Sequence, residues 1–171
     1  MKKLLAITTI SLLTPHLGFS SSIDLVSLGS GSYNILATLG TSSQSATGVT
    51  FGSPIGFGDL VGGGIATQDW SSYSNSDFGM VLSASSTAVN LSFSVEFYDP
   101  TFALLLNTYS GSVVSIGTSP TFVPLTLSIP GTGILSSVGG VQVIWGGAGE
   151  PGQSVTVNSV AAVPEPCGHA L

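Results

Sequence analysis

Carboxylates and aromatic rings are the residues of this sequence whose types and spacing could do chemistry. Asp59, Asp69 and Asp77 could supply hard oxygen ligands to a structural calcium ion, which takes six to eight oxygens, usually with two or three carboxylates among them. Their spacing contains no Asp-x-Asp-x-Asp-Gly loop, so solvated turn aspartates account for them equally well. Trp70 and Tyr73 lie in a polar stretch, 68–75 (QDWSSYSN), where aromatic faces beside Asp and Asn suit a sugar. The C–H face of the sugar stacks while its hydroxyls take hydrogen bonds. A tryptophan plugging the end of a β-domain is the more ordinary account of Trp70. Tyr98 and Tyr109 could extend such a glycan surface.

Catalysis finds little to work with. Hydrolysis of a glycoside needs two carboxylates roughly 5–10 Å apart. Glu96 and Asp99 are near each other in sequence but sit in no recognisable catalytic context. The two histidines, His16 and His169, lie near the ends, so no Ser-His-Asp or Cys-His set can be assembled. The glycine-rich run 56–64 (GFGDLVGGG) lacks the Gly-Lys-Ser/Thr ending of a phosphate loop and reads as a flexible turn. The expectation is a non-enzymatic protein without an obligatory cofactor.

Composition narrows the partners. Charged residues make up 6% of the 171 residues, against about 25% in an ordinary soluble domain. Both cations are Lys2 and Lys3. Beyond them the chain carries all 8 Asp and Glu and no Lys or Arg, a formal charge of −8. A protein that tracks nucleic-acid phosphates is thereby excluded, as is a basic membrane-surface module. The single cysteine, Cys167, leaves no disulfide framework within the chain.

The elements that must position these residues are strands. Over 89–98 (VNLSFSVEFY) apolar and polar residues alternate with period two, the mark of a strand with one wet face. Asp99-Pro100 supplies turn chemistry, and 102–109 reads as the return strand of a hairpin. Further strands are expected at 33–39, 48–51, 79–83, 121–129, 141–145 and 154–163. In 121–129 the inward set is Val123, Leu125, Leu127 and Ile129, and Pro124 places the strand at an edge or starts it late. Trp145 shares its phase with Val141 and Val143 and reads as core. At most one helical turn is expected, at 136–138. The sum is an all-β fold: a single antiparallel, jelly-roll-like β-sandwich over 24–163.

The two ends read as addresses. Lys2 and Lys3, the apolar run 4–13 and the small residues at 18–22 have the layout of a secretory signal peptide over 1–22, with cleavage after Ser20 or Ser22. At the other end Val163-Pro164-Glu165-Pro166 closely follows the last β-type run. In an exported, low-charge, Ser/Gly/Thr-rich chain this resembles the PEP-CTERM family of exported bacterial proteins. The resemblance implies sorting by an exosortase, a role at the cell surface or in an exopolysaccharide or biofilm matrix, and a membrane segment with a basic tail after the motif. Here Pro166 is followed only by Cys167-Gly168-His169-Ala170-Leu171, so 164–171 reads as a remnant of the sorting signal with no stable membrane anchor. Between the ends, the runs 77–82, 89–99 and 102–111 resemble, in pattern, jelly-roll domains of the carbohydrate-binding type. Two functions follow: a non-catalytic matrix protein, or a glycan-binding module using Trp70, Tyr73 and Tyr98 with calcium as a structural ion.

Overall fold

The computed structural model describes residues 22–85, 91–113, 116–146 and 153–163. The expected signal peptide, apart from Ser22, therefore lies outside the described residues, as do Pro164, Glu165, Pro166, Cys167 and His169. Twelve strands account for the regular structure among the described residues: β1 Ile23–Ser27, β2 Asn34–Leu36, β3 Thr41–Ser45, β4 Gly48–Gly52, β5 Leu60–Gln68, β6 Phe78–Ala84, β7 Leu91–Tyr98, β8 Leu105–Val113, β9 Thr121–Pro124, β10 Thr126–Pro130, β11 Val138–Trp145 and β12 Ser154–Ala162. No helix occurs among them, and residues 136 and 137 form a plain turn.

Two six-stranded sheets face each other. The first runs β3-β4-β12-β6-β9, with β1 also paired to β12; the second runs β10-β8-β7-β11-β5-β2. Every pairing is antiparallel. The pairs β4·β12, β5·β11, β6·β9 and β7·β8 nest inside one another, so one long ribbon is folded across both sheets. That nesting is a jelly roll, and it is the all-β sandwich expected from the sequence.

The alternation in β7 does the sorting. Leu91, Phe93, Val95 and Phe97 are buried between the sheets, while Ser92, Ser94, Glu96 and Tyr98 take the outer face. Two aromatic clusters fill the interior. Trp70, Phe78, Phe97 and Tyr109 meet at one end, with ring centroids 5.0 to 6.2 Å apart. Phe51 and Phe93 pack edge-on against Trp145 in the other, at 5.8 and 5.7 Å. Such pairs contribute about 0.5–1.5 kcal/mol each beyond the apolar area they bury. Trp145 is core, as its phase with Val141 and Val143 implies.

Three expectations are corrected. The run 56–64 is not a flexible turn, because Gly62, Gly63 and Gly64 lie inside β5, paired to β11 on one side and, at Gly62, to β2 on the other. Sheet pairing on both edges overrides the low strand preference of glycine. The stretch 121–129 is two strands: β9 ends at Pro124 on an edge of the first sheet, and β10 begins at Thr126 on an edge of the second. Crossing between sheets breaks the phase, so Val123 and Leu125 are buried but Ile129 is 57% exposed. Tyr109 belongs to the core; it pairs with the inward Val95, and its hydroxyl donates to Asn75 Oδ1 at 2.8 Å and accepts from Asn107 Nδ2 at 3.0 Å.

Candidate glycan-binding site

The aromatic residues singled out from the sequence do not converge. Trp70 is 2% exposed, its ring set against Phe78 and Phe97 and its Nε1 donating to Gln68 Oε1 at 2.9 Å. No face of that indole is open to a sugar. Tyr73 is half-buried against Phe78. Tyr98 lies on the far side of the second sheet, one residue beyond the Phe97 that Trp70 touches, and period-two geometry turns it outward.

The aspartates likewise serve separate turns. Asp59 is 1% exposed; its Oδ1 accepts from Thr38 N at 2.6 Å and Thr38 Oγ1 at 2.5 Å, and its Oδ2 from Gly56 N at 2.7 Å. Burial pushes this carboxyl up, but the hydrogen bonds from Thr38 and Gly56 outweigh it and leave it below the usual aspartate range. Asp69 is exposed and accepts from Ser71 N at 2.9 Å and Ser71 Oγ at 2.6 Å, which lower its pKa. Asp77 Oδ2 accepts from Ser74 N at 2.7 Å. Among the described residues no three His, Cys, Asp or Glu side chains gather as a metal ion would need.

What the structure does bring together is on the outer face of the second sheet. Cross-strand partners share a face, so Asn34, Gly62, Gln142, Glu96 and Thr108 form one row from β2 to β8. The next row along is Gly64, Gly140 and Tyr98. Three of these positions are glycines, and their missing side chains leave a trough. Phe102, from the loop between β7 and β8, folds back over it. A Cβ on Gly140 would overlap the Phe102 ring, and one on Gly64 would lie 3.8 Å from it. Phe102 also stacks on Tyr98, centroids 5.4 Å apart and planes 27° from parallel. The result is a groove of about 330 Å³ with an aromatic wall, a glycine floor, and the amides of Asn34 and Gln142 at its sides.

The loop holds Phe102 in an unusual conformation. Its φ is +57°, the only positive value at a non-glycine among the described residues. A bulky side chain in the left-handed region costs on the order of 1–3 kcal/mol and persists only where surrounding bonds impose it. Asp99 supplies them. Its Oδ1 accepts from Leu104 N at 2.7 Å and its Oδ2 from Thr101 Oγ1 at 2.5 Å, while its backbone carbonyl accepts from Phe102 N at 3.1 Å. The bonds from Thr101 and Leu104 hold the Asp99 carboxyl below its ordinary range. Phe102 nevertheless stays 42% exposed. The Tyr98 hydroxyl donates to Glu96 Oε2 at 2.5 Å, and burial together with that bond and charge pushes the phenol up to about 12. Glu96 and Asp99, the carboxylates closest in sequence, are thus each committed to a different local partner.

Phe102, Asn34 and Gln142 were not singled out in the sequence. Phe102 follows an Asp-Pro turn signal by two residues, but nothing in its neighbourhood marks a positive φ. The amides become neighbours only when β2 and β11 flank β5.

No protein-family model matches the chain, and no curated protein sequence matches it. A solved structure does. The chain is similar in fold to the family 11 carbohydrate-binding module of the cellulosomal cellulase Lic26A-Cel5E of Clostridium thermocellum, with a TM-score of 0.52 at 11% sequence identity. The match covers 84% of this chain and 95% of the module. At that identity the likeness is one of fold. Among the described residues no helix is long and apolar enough to cross a membrane.

Proposed function

We propose that this protein is a non-catalytic module that binds a polysaccharide in the groove on the outer face of its second sheet. The observation that carries the reading is Phe102, held at positive φ with its ring exposed over a glycine floor, beside Tyr98 and two amides. An aromatic wall stacks on the C–H face of a sugar, and Asn34 and Gln142 each offer a donor and an acceptor to its hydroxyls. The fold likeness to a carbohydrate-binding module supports the same reading. The site differs from the one expected around Trp70, Tyr73 and Tyr98; of those three aromatics Tyr98 alone touches it, through its stack with Phe102.

Native affinity electrophoresis through gels containing soluble neutral and charged polysaccharides tests the reading. At least one polymer should retard the protein, and Phe102→Ala should weaken that retardation about tenfold, equivalent to about 1.4 kcal/mol. No new reducing ends should appear. Failure of every polymer to retard the chain, or retardation indifferent to Phe102→Ala, refutes it.

The setting we propose is outside a bacterial cell, as an exported surface or matrix protein in contact with exopolysaccharide. Support comes from sequence resemblance: Lys2, Lys3 and the apolar run for export, and Val163-Pro164-Glu165-Pro166 for exosortase sorting. Mass spectrometry of the native protein should find an N-terminus near residue 21 or 23; an intact Met1 would count against export.

A further inference from the structure

Given the reading above, on which this inference rests, the groove's charge chemistry points to the class of sugar it takes. Glu96 stands on the outer face as the cross-strand partner of Gln142, which lines the groove. One of its oxygens, Oε2, is occupied by the Tyr98 hydroxyl; Oε1 receives no hydrogen bond among the described residues. No Lys or Arg exists beyond Lys3, so among the described residues this carboxylate has no Lys or Arg to neutralise it. Buried and half-buried carboxylates elsewhere in the chain are occupied by backbone and hydroxyl donors, as at Asp59 and Asp77. Glu96 differs in keeping one oxygen available beside a stacked aromatic pair.

A carboxylate oxygen, the aromatic ring of Phe102 and an amide carbonyl make a set that favours a cation. An ammonium donates up to three hydrogen bonds and is attracted to an aromatic face. Tyr98 stays protonated far above neutral pH, so it donates to Glu96 and fixes the carboxylate's orientation without cancelling its charge. A uronate would meet Glu96 with like charge and find no cation in the body of the protein. A neutral sugar can donate a hydroxyl to Oε1 but brings no positive charge to balance the carboxylate. We infer that the groove selects a polysaccharide whose sugars carry a free, protonated amine, with Glu96 as the residue that sets the preference.

The test uses three soluble derivatives of one β-1,4-linked amino-sugar backbone: glycol chitosan with free amines, glycol chitin with the amines acetylated, and carboxymethyl chitin. Binding of the full chain is measured by titration calorimetry at 0.15 M and 0.5 M salt. Overall negative charge would attract a polycation by itself, but over distances beyond about 8 Å that attraction is screened at 0.15 M. A contact at Glu96 should survive. The expected result is a preference of about tenfold for glycol chitosan over glycol chitin, with carboxymethyl chitin weakest. Glu96→Gln, which keeps the shape and can still accept from Tyr98, should cut the preference to below twofold. Asp24→Asn removes the same charge from the opposite sheet, where Asp24 accepts from Ser159 Oγ at 2.5 Å, and should leave the preference intact. Thermal melting of both variants checks that they fold.

Outcomes separate cleanly. Equal affinity for the amine and acetylated polymers overturns the inference while leaving glycan binding in place. An amine preference reduced equally by Glu96→Gln and Asp24→Asn assigns it to net charge and overturns the role of Glu96. Binding to another polysaccharide but to none of these three also overturns the inference. Binding to no polysaccharide at all overturns the functional reading beneath it.

Discussion

Asp59 offers the sharpest test of how this chain is held together without ion pairs in its body. Its carboxylate ties three segments: the exit of β2 through Thr38, the preceding loop through Gly56, and the start of β5. In Asp59→Ala the donors are left without that acceptor. Thr38 is exposed and water can reach it, so its two bonds together are worth about 1–2 kcal/mol. Gly56 is buried, and leaving its N–H unpaired costs about 2 kcal/mol more. The total is about 3–4 kcal/mol, a large share of the roughly 5–15 kcal/mol that holds a domain folded. With a urea slope near 2 kcal/mol/M, the unfolding midpoint should fall by about 1.5–2 M. Asp59→Asn keeps one acceptor oxygen but turns an amide N–H toward a donor, and should lose about 2 kcal/mol. The pH dependence has a definite sign. The folded pKa lies below the unfolded value near 3.9, so this stability is present above pH 4 and is lost as pH falls through the folded pKa. Equilibrium urea unfolding of wild type and Asp59→Asn from pH 7 to 2.5 should show the difference between them shrinking over that window. A midpoint within 0.3 M of wild type at pH 7, or parallel pH profiles, would refute the reasoning.

Three other expectations follow from the groove and the core. Gly140→Ala should expel the Phe102 ring and weaken polysaccharide retardation about as much as Phe102→Ala, whereas Gly64→Ala, whose new methyl leaves the ring in place but stands on the groove floor, should weaken it while the fold is kept. Trp70→Phe should destabilise the fold by about 1–3 kcal/mol in urea through lost packing and the lost bond to Gln68, with polysaccharide binding by the folded protein unchanged. Because Thr101 and Leu104 depress the Asp99 pKa, the loop holding Phe102 should stay fixed at neutral pH and loosen as pH drops through that depressed value. Polysaccharide affinity should then decline below about pH 4, and Asp99→Asn should weaken binding already at pH 7.

The fold was legible in the sequence because it rests on local pattern. Period-two alternation in 91–98 assigns each side chain to a face wherever the strand is paired; the burial pattern follows it from Leu91 to Tyr98, and the β7·β8 register is unbroken from Leu91 to Phe97. Glycine, proline and Asp-Pro signals placed most of the remaining strands. Where the pattern failed, a non-local partner had decided the structure. Gly62–Gly64 carry no strand signal of their own and are strand because β11 and, in part, β2 pair with them. Trp70 does plug one end of the sandwich, its more ordinary reading from the sequence, but its polar surroundings do not name Phe78 and Phe97 as the residues that cover it. The groove was out of reach for the same reason. Its floor comes from β5, its amides from β2 and β11, and its aromatic wall from the loop after β7. Composition alone determined that among the described residues Glu96 would stand without a Lys or Arg to pair with, since no Lys or Arg follows Lys3. Only the packing of four distant segments decided that it would stand beside stacked rings and a glycine floor, because glycine shapes a surface solely through the neighbours that its missing side chain admits.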